Sequence, residues 1–255
     1  MISQIQNGNL KINIHNKIAT VVFQHPASNS FPSFLLNKLT NAFHDISKNK
    51  NVHVVVLKSE RNGAFCAGAS FNELITLSNL KEGTAFFSGF ANVMNAMRTC
   101  SKLIIGRVQG KAVGGGVGLI AACDYVFASH TAAIKLSELT IGIGPFVIEP
   151  AVTRKIGLSA FSELSLAASE WKNATWAKEK GLYAKIVKST EELDKEVAIF
   201  AEKLSHYNPD ALEEMKTVLW KNTQNWDTLL LKRAKISGKL VLSKFTEKAL
   251  EEFKK

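Results

Sequence analysis

Only three of the 255 residues are cysteine, and Cys66, Cys100 and Cys123 have no C-x-x-C spacing and leave an odd count. That argues against a disulfide framework and points to a reducing, cytoplasmic setting. No apolar h-region follows the start: residues 1–8, Met-Ile-Ser-Gln-Ile-Gln-Asn-Gly, do not read as a secretory signal. Long hydrophobic runs are missing too. The most apolar uncharged stretches, 83–97 and 112–123, are too short to span a bilayer, so no membrane insertion is expected. Acids are in deficit, 22 against 32 basic residues, which leaves a net charge of +10. The excess forms no compact basic block and there is no zinc-finger spacing. Lysines are spread out and interleaved with acids, as in Lys178-Glu179-Lys180. Mixed charge of this kind mostly solvates helix surfaces, so neither nucleic acid nor a metal is expected. A polyanionic small molecule would still benefit from the positive field. No internal repeat or low-complexity linker interrupts the chain.

What the chain has is 46% hydrophobic residues, enough to bury a full core. Residues 11–14 and 18–23, split by His15-Asn16-Lys17, read as a β-hairpin. Apolar residues at Leu35, Leu36, Leu39, Ala42, Phe43 and Ile46 have the spacing of an amphipathic helix. Residues 52–57 then read as a buried strand, 84–97 as a helix, 103–108 as a strand, 115–122 as a helix and 125–128 as a strand. Strands alternating with helices predict an α/β core. From about Thr190 strand signals disappear, and 193–204, 210–220, 227–241 and 243–253 are all helical in pattern. Asn208 ahead of Pro209 is a candidate N-cap for one of them.

The most informative stretch is Gly114-Gly115-Gly116-Val117-Gly118-Leu119, followed by Ala121-Ala122-Cys123-Asp124. Glycines bunched before a helix-compatible segment let a backbone approach a ligand closely, with unpaired N–H groups pointing at it. It is not a phosphate-cradling P-loop: Ala112 follows Gly110-Lys111, and Ile105 stands where the first glycine belongs. Nor is it a dinucleotide fingerprint, because Leu119 occupies the position of the last Gly or Ala. A second small-residue turn, Phe65-Cys66-Ala67-Gly68-Ala69, precedes it, and Glu138 follows in Leu136-Ser137-Glu138-Leu139-Thr140-Ile141-Gly142. Either turn alone would be explained by tight helix packing. Both together, in this order and with Glu138 at this distance, resemble the enoyl-CoA hydratase/isomerase (crotonase) superfamily.

That resemblance covers essentially the whole chain and carries specific expectations. The implied fold is an α/β spiral of β-β-α units with a C-terminal helical trimerisation region, divided here as core 1–190 and helical region 191–255. The expected partner is an acyl-CoA thioester, with no cofactor beyond the coenzyme A carried by the substrate, and the expected assembly is a homotrimer or homohexamer. Ala69 and Gly115 are the implied backbone donors of an oxyanion hole for the thioester carbonyl. Glu138 matches the second catalytic glutamate; among leucine and isoleucine it would lose solvation, which raises a carboxyl pKa. Read from its neighbours alone, it is an ordinary loop glutamate. Ser28, Phe31, Ala67, Phe245 and Lys248 match family contacts to coenzyme A, the last two reaching a neighbouring subunit's ligand. Gly68, Gly114 and Gly118 complete the two glycine turns, and Pro145 and Phe146 belong to the next turn near the acyl chain.

Two departures matter. Hydratases of the family carry their first glutamate, which activates the water, where this chain has Gly118. The turn 143–150, Ile-Gly-Pro-Phe-Val-Ile-Glu-Pro, is bulkier than its counterparts, which favours a short or compact acyl group. Glu149 and, less directly, Glu73 are candidates for a substitute acid. Isomerisation needs one carboxylate, hydration ordinarily two. An acyl-CoA decarboxylase and a non-catalytic acyl-CoA binding protein remain alternative readings. Cys66, inside the first turn, reads better as a tolerated small residue than as a nucleophile.

Overall fold

A computed structural model describes residues 8–60 and 63–252. The start-signal reading at 1–8 and the end of the last helix at Phe253 lie outside the described residues, apart from Gly8. The chain opens with an antiparallel hairpin, β1 (Asn9–His15) and β2 (Ile18–Gln24), followed by α1 (Ser33–Lys48) and β3 (Val54–Ser59). A single-turn helix α2 (Phe71–Leu74) leads to the long α3 (Leu80–Thr99) and β4 (Leu103–Val108). Then come β5 (Ala112–Val113), α4 (Gly115–Ala122), β6 (Tyr125–Ser129), β7 (Ala133–Lys135) and a 3-10 turn at Glu138–Ile141. Next are α5 (Glu149–Leu166), β8 (Lys172–Asn173), α6 (Ala174–Glu179) and β9 (Lys185–Val187). Four helices close the chain: α7 (Thr190–Ser205), α8 (Pro209–Leu219), α9 (Trp226–Leu240) and α10 (Lys244–Glu252).

The six strands of the main sheet lie in the order β1-β2-β3-β4-β6-β9, parallel from β2 onward, and β5, β7 and β8 form a small second sheet. Starting at β4 and again at β6, the chain puts one strand in the large sheet, one in the small sheet and then a helix. These repeated turns are the expected β-β-α spiral. A parallel sheet covered on both faces reads as continuous apolar strands, and the burial follows that rule. Val55, Leu57 and Ile104 face a large core shared with α1, α3 and α4. Val54, Val56, Leu103 and Ile105 face the other way, against Leu193, Val197 and Ala201 of α7. The helical region is thus woven into the core: Trp226, Leu230 and Ala234 of α9 belong to the main cluster. Asn208 caps α8 by accepting from the Asp210 amide.

The crossing of α3 and α9 matters for the site. Gly83 and Gly238 meet back to back, so that a methyl on Gly238 would lie 2.5 Å from the Thr84 nitrogen. Glycine costs about 1 kcal/mol in a helix relative to alanine. Here two rigid backbones collide, and overpacking of that kind costs about 1–3 kcal/mol or more, which outweighs the propensity gain. Gly238→Ala is therefore expected to lower the unfolding free energy, and urea titration beside the wild type checks it. An unchanged midpoint would show that the two helices part easily.

Candidate active site

The first turn is built by borrowed backbone bonds. The Phe31 amide donates to the Gly68 carbonyl at 2.8 Å, the Ser70 amide to Phe31 at 3.0 Å and the Ala67 amide to Ser28 at 3.0 Å. Gly68 sits at φ +86°, a conformation L side chains rarely adopt, and its amide points at Cys66 Sγ at 3.3 Å. The Ala69 N–H is left with no protein acceptor among the described residues. The second turn is held by Gly114, at φ +52°, whose amide donates to Lys135 O at 3.0 Å and whose carbonyl accepts from Val117 and Gly118. That arrangement starts α4 and leaves the Gly115 N–H at its head, likewise without an acceptor among the described residues. A helix N-terminus carries partial positive charge, which adds to what that N–H offers an anion. The turns touch: a methyl on Gly68 would lie 2.8 Å from Val113 O and 3.6 Å from the Gly115 nitrogen.

Glu138 opens the 3-10 turn, and its side chain lies across Gly114. A methyl there would come within 2.8 Å of Glu138 Oε1, so the glycine makes room for the acid. Oε2 is buried without a hydrogen-bond partner. Burial pushes the carboxyl pKa up to about 7, only partly countered by a hydrogen bond from the residue's own amide. A carboxyl poised there can give or take a proton near neutrality. Cys66 is buried, and burial pushes its thiol up to about 12, which leaves it inert.

A cavity of about 310 Å³ joins these parts. Ala67, Gly68, Ala69, Gly114 and Gly115 form one wall, with Glu138 beside them; Pro145, Phe146, Val147 and Ile148 face it. Its volume sits at the low end of ordinary ligand pockets. Glu138 and Lys135 are the charged residues that line it among the described residues.

Other expected site residues lie elsewhere. Gly118 is buried beneath Ile148, where an added methyl would come 2.4 Å from Ile148 Cγ2, and it does not line the cavity. The Phe31 ring is in the core, 4.8 Å from that of Phe23, and Ser28 is exposed; neither side chain borders the cavity, and both residues are tied to the first turn by backbone bonds. Phe245 is 65% exposed and rests over Gly142, while Lys248 is exposed on α10; neither borders the cavity. The candidate substitute acids are occupied away from it. Glu149 accepts from Thr153 at 3.0 Å and faces Arg233 at 3.6 Å, and Glu73 accepts from the Ser33 amide at 2.7 Å. Conversely, Phe87, Phe90, Lys135 and Ser237 line the cavity without having been expected. The helical spacing of the two phenylalanines reads as core. Ser237 arrives only because α3 and α9 cross so closely.

Comparison with known proteins gives the family and the fold. The Enoyl-CoA hydratase/isomerase family profile matches residues 13–253. The chain is similar to a peroxisomal Delta(3,5)-Delta(2,4)-dienoyl-CoA isomerase of Arabidopsis thaliana, 27% identical over 198 residues, covering 72% of this chain and 69% of that one. It is also similar to a probable enoyl-CoA hydratase of Bacillus subtilis, 24% identical over 238 residues and 92% of each chain. An enoyl-CoA hydratase structure from Bacillus halodurans superposes with a TM-score of 0.88 at 20% identity, covering 95% of this chain and 99% of that one. The paired glycine turns, the glutamate beside them and the spiral that holds them place this chain in the enoyl-CoA hydratase/isomerase family.

Proposed function

We propose that this family member isomerises a double bond in a short or compact enoyl-CoA. In this reading the Ala69 and Gly115 amides stabilise a thioester enolate and Glu138 alone shuttles the proton between two carbons. The observation that carries it is the single acid: Glu138 is the one carboxylate lining the cavity among the described residues, and Ile148 fills the space beside Gly118. A preorganised amide donor is typically worth about 2.7–4 kcal/mol in such a transition state, so two of them account for much of the needed stabilisation. Incubating the protein with a panel of enoyl-CoAs in D₂O and in H₂¹⁸O tests it. Deuterium should enter the acyl chain without ¹⁸O; prompt ¹⁸O incorporation would overturn the isomerase reading.

Phe146 sets the acyl length in this proposal, since it lines the cavity and covers Gly144. Phe146→Ala should shift the preferred substrate by two or more carbons, read as kcat/KM across a chain-length series. An unchanged preference would place the acyl end elsewhere.

We also propose a trimer or dimer of trimers in a reducing, cytoplasmic compartment. Leu230 and Val241 are buried within the chain, so the apolar surface left on α9 and α10 is Leu231, Ile236 and Phe245. Phe245 and Lys248 remain free to meet a neighbouring subunit's coenzyme A. No helix among the described residues is long and apolar enough to cross a membrane.

A further inference from the structure

A second concavity of about 500 Å³, sharing no lining residue with the acyl cavity, lies between α5 and the turn that joins α8 to α9. Arg154, Lys155 and Lys221 line it with Asn222, Thr223 and Trp226, and no acid does so among the described residues. The acid next to this group is Asp124, and its carboxylate is already taken. It accepts from Lys216 Nζ at 2.7 Å, Trp220 Nε1 at 2.6 Å and the Ile104 amide at 2.7 Å. Lys155 Nζ donates to the Asp124 main-chain carbonyl at 3.0 Å. The Arg154 guanidinium stacks 4.1 Å from the Trp220 ring centroid and donates to the Leu219 carbonyl. Both cations are partly withdrawn from water, and burial lowers the pKa of each, partly countered by the nearby Asp124 charge.

The direct acceptors of both cations are neutral carbonyls, with the Asp124 charge acting from further away, so an anion that enters offsets part of their desolvation. Arginine presents a planar fork suited to oxyanions, and two ammonium groups beside it add charge without fixing geometry. Sulfate-sized anions would use a fraction of the space; a compound with several phosphate oxygens uses all three cations. We propose that this concavity is a binding site for a multiply charged phosphate compound, separate from the acyl cavity. The proposal goes beyond the thioester reaction and does not rest on it. Arg154 and Lys155 lie on the segment of α5 between its N-cap Ile148 and the break at Gly157, where φ is +78°.

Inorganic pyrophosphate is the probe, titrated calorimetrically into the full chain at constant ionic strength set with sodium chloride. Saturable binding is expected, weakened at least five-fold by Lys221→Ala and abolished by Lys155→Met. Lys221 is exposed, so its variant keeps the test readable should the half-buried Lys155→Met fail to fold. Lys248→Ala should leave the affinity unchanged. Absence of saturable binding would overturn the proposal. So would binding that Lys248→Ala weakens and Lys221→Ala does not, because the probe would then sit with the coenzyme A contacts.

Discussion

Glu138→Gln is expected to cut turnover by about 10²–10⁴-fold while acyl-CoA affinity stays within a few-fold of the parent, the range typical of a lost general acid/base. The amide keeps the shape of the carboxyl but cannot exchange a proton. Because the folded pKa is about 7, kcat/KM of the parent should rise with pH and level off above that value, as the carboxylate that accepts the proton becomes populated. The same substitution should stabilise the fold at alkaline pH. The folded pKa lies above the ordinary glutamate value of 4.5, so the folded state holds its proton more tightly than the unfolded chain does. Stability from this group is therefore full below about pH 4.5 and lost as pH rises through about 7. A rise from 4.5 to about 7 corresponds to about 3 kcal/mol at pH 8, which the glutamine variant would recover. Thermal unfolding of both proteins at pH 5 and pH 8 reads the difference: small at the lower pH, several degrees at the higher. Near-parental turnover, or a pH-independent stability gap, would remove Glu138 from the proton-transfer role.

A carboxylate restored at Gly118 should not by itself create a hydratase. The first atom of any side chain there would sit 2.4 Å from Ile148 Cγ2 and 2.8 Å from its Cβ, at the branched and least adaptable end of that residue. Gly118→Glu alone is expected to lower stability by several kcal/mol, since it buries an unpaired charge and overpacks a filled site. Pairing it with Ile148→Gly removes both contacting atoms and opens a path to the cavity, whose wall Ile148 forms. The double variant should then hydrate crotonyl-CoA at least about 10²-fold faster than the parent, the gain a positioned general base brings. All four proteins of the double-mutant cycle, assayed for ¹⁸O incorporation, separate the two effects. If Gly118→Glu alone gains as much, Ile148 is not the obstacle. If a folded double variant gains nothing, the missing acid is not what limits hydration.

The two glycine turns were legible in the sequence because their backbone chemistry is local. A glycine run before a helix and a small-residue turn each fix their own backbone shape, and Glu138 could be placed by its distance from them. The strand–helix alternation was legible for the same reason, since periodicity reports which face of an element is buried. Three short strands of the small sheet were not, because two or three residues carry no period.

Local pattern was enough for the family architecture, for the two glycine turns and for a glutamate placed beside them. Tertiary structure alone decided what surrounds them. A bulky turn read from sequence becomes, in space, a plug: Ile148 occupies the volume beside Gly118, so the glycine is the floor under a side chain thirty residues on. Glu149, well placed along the chain as a substitute acid, is turned toward Arg233, and the Phe31 ring is spent on the core. Ser237 enters the cavity wall because two glycines let α3 and α9 touch. Each of these depends on contacts between segments far apart in the chain, and the direction in which a side chain points is set by those contacts, which no local pattern records.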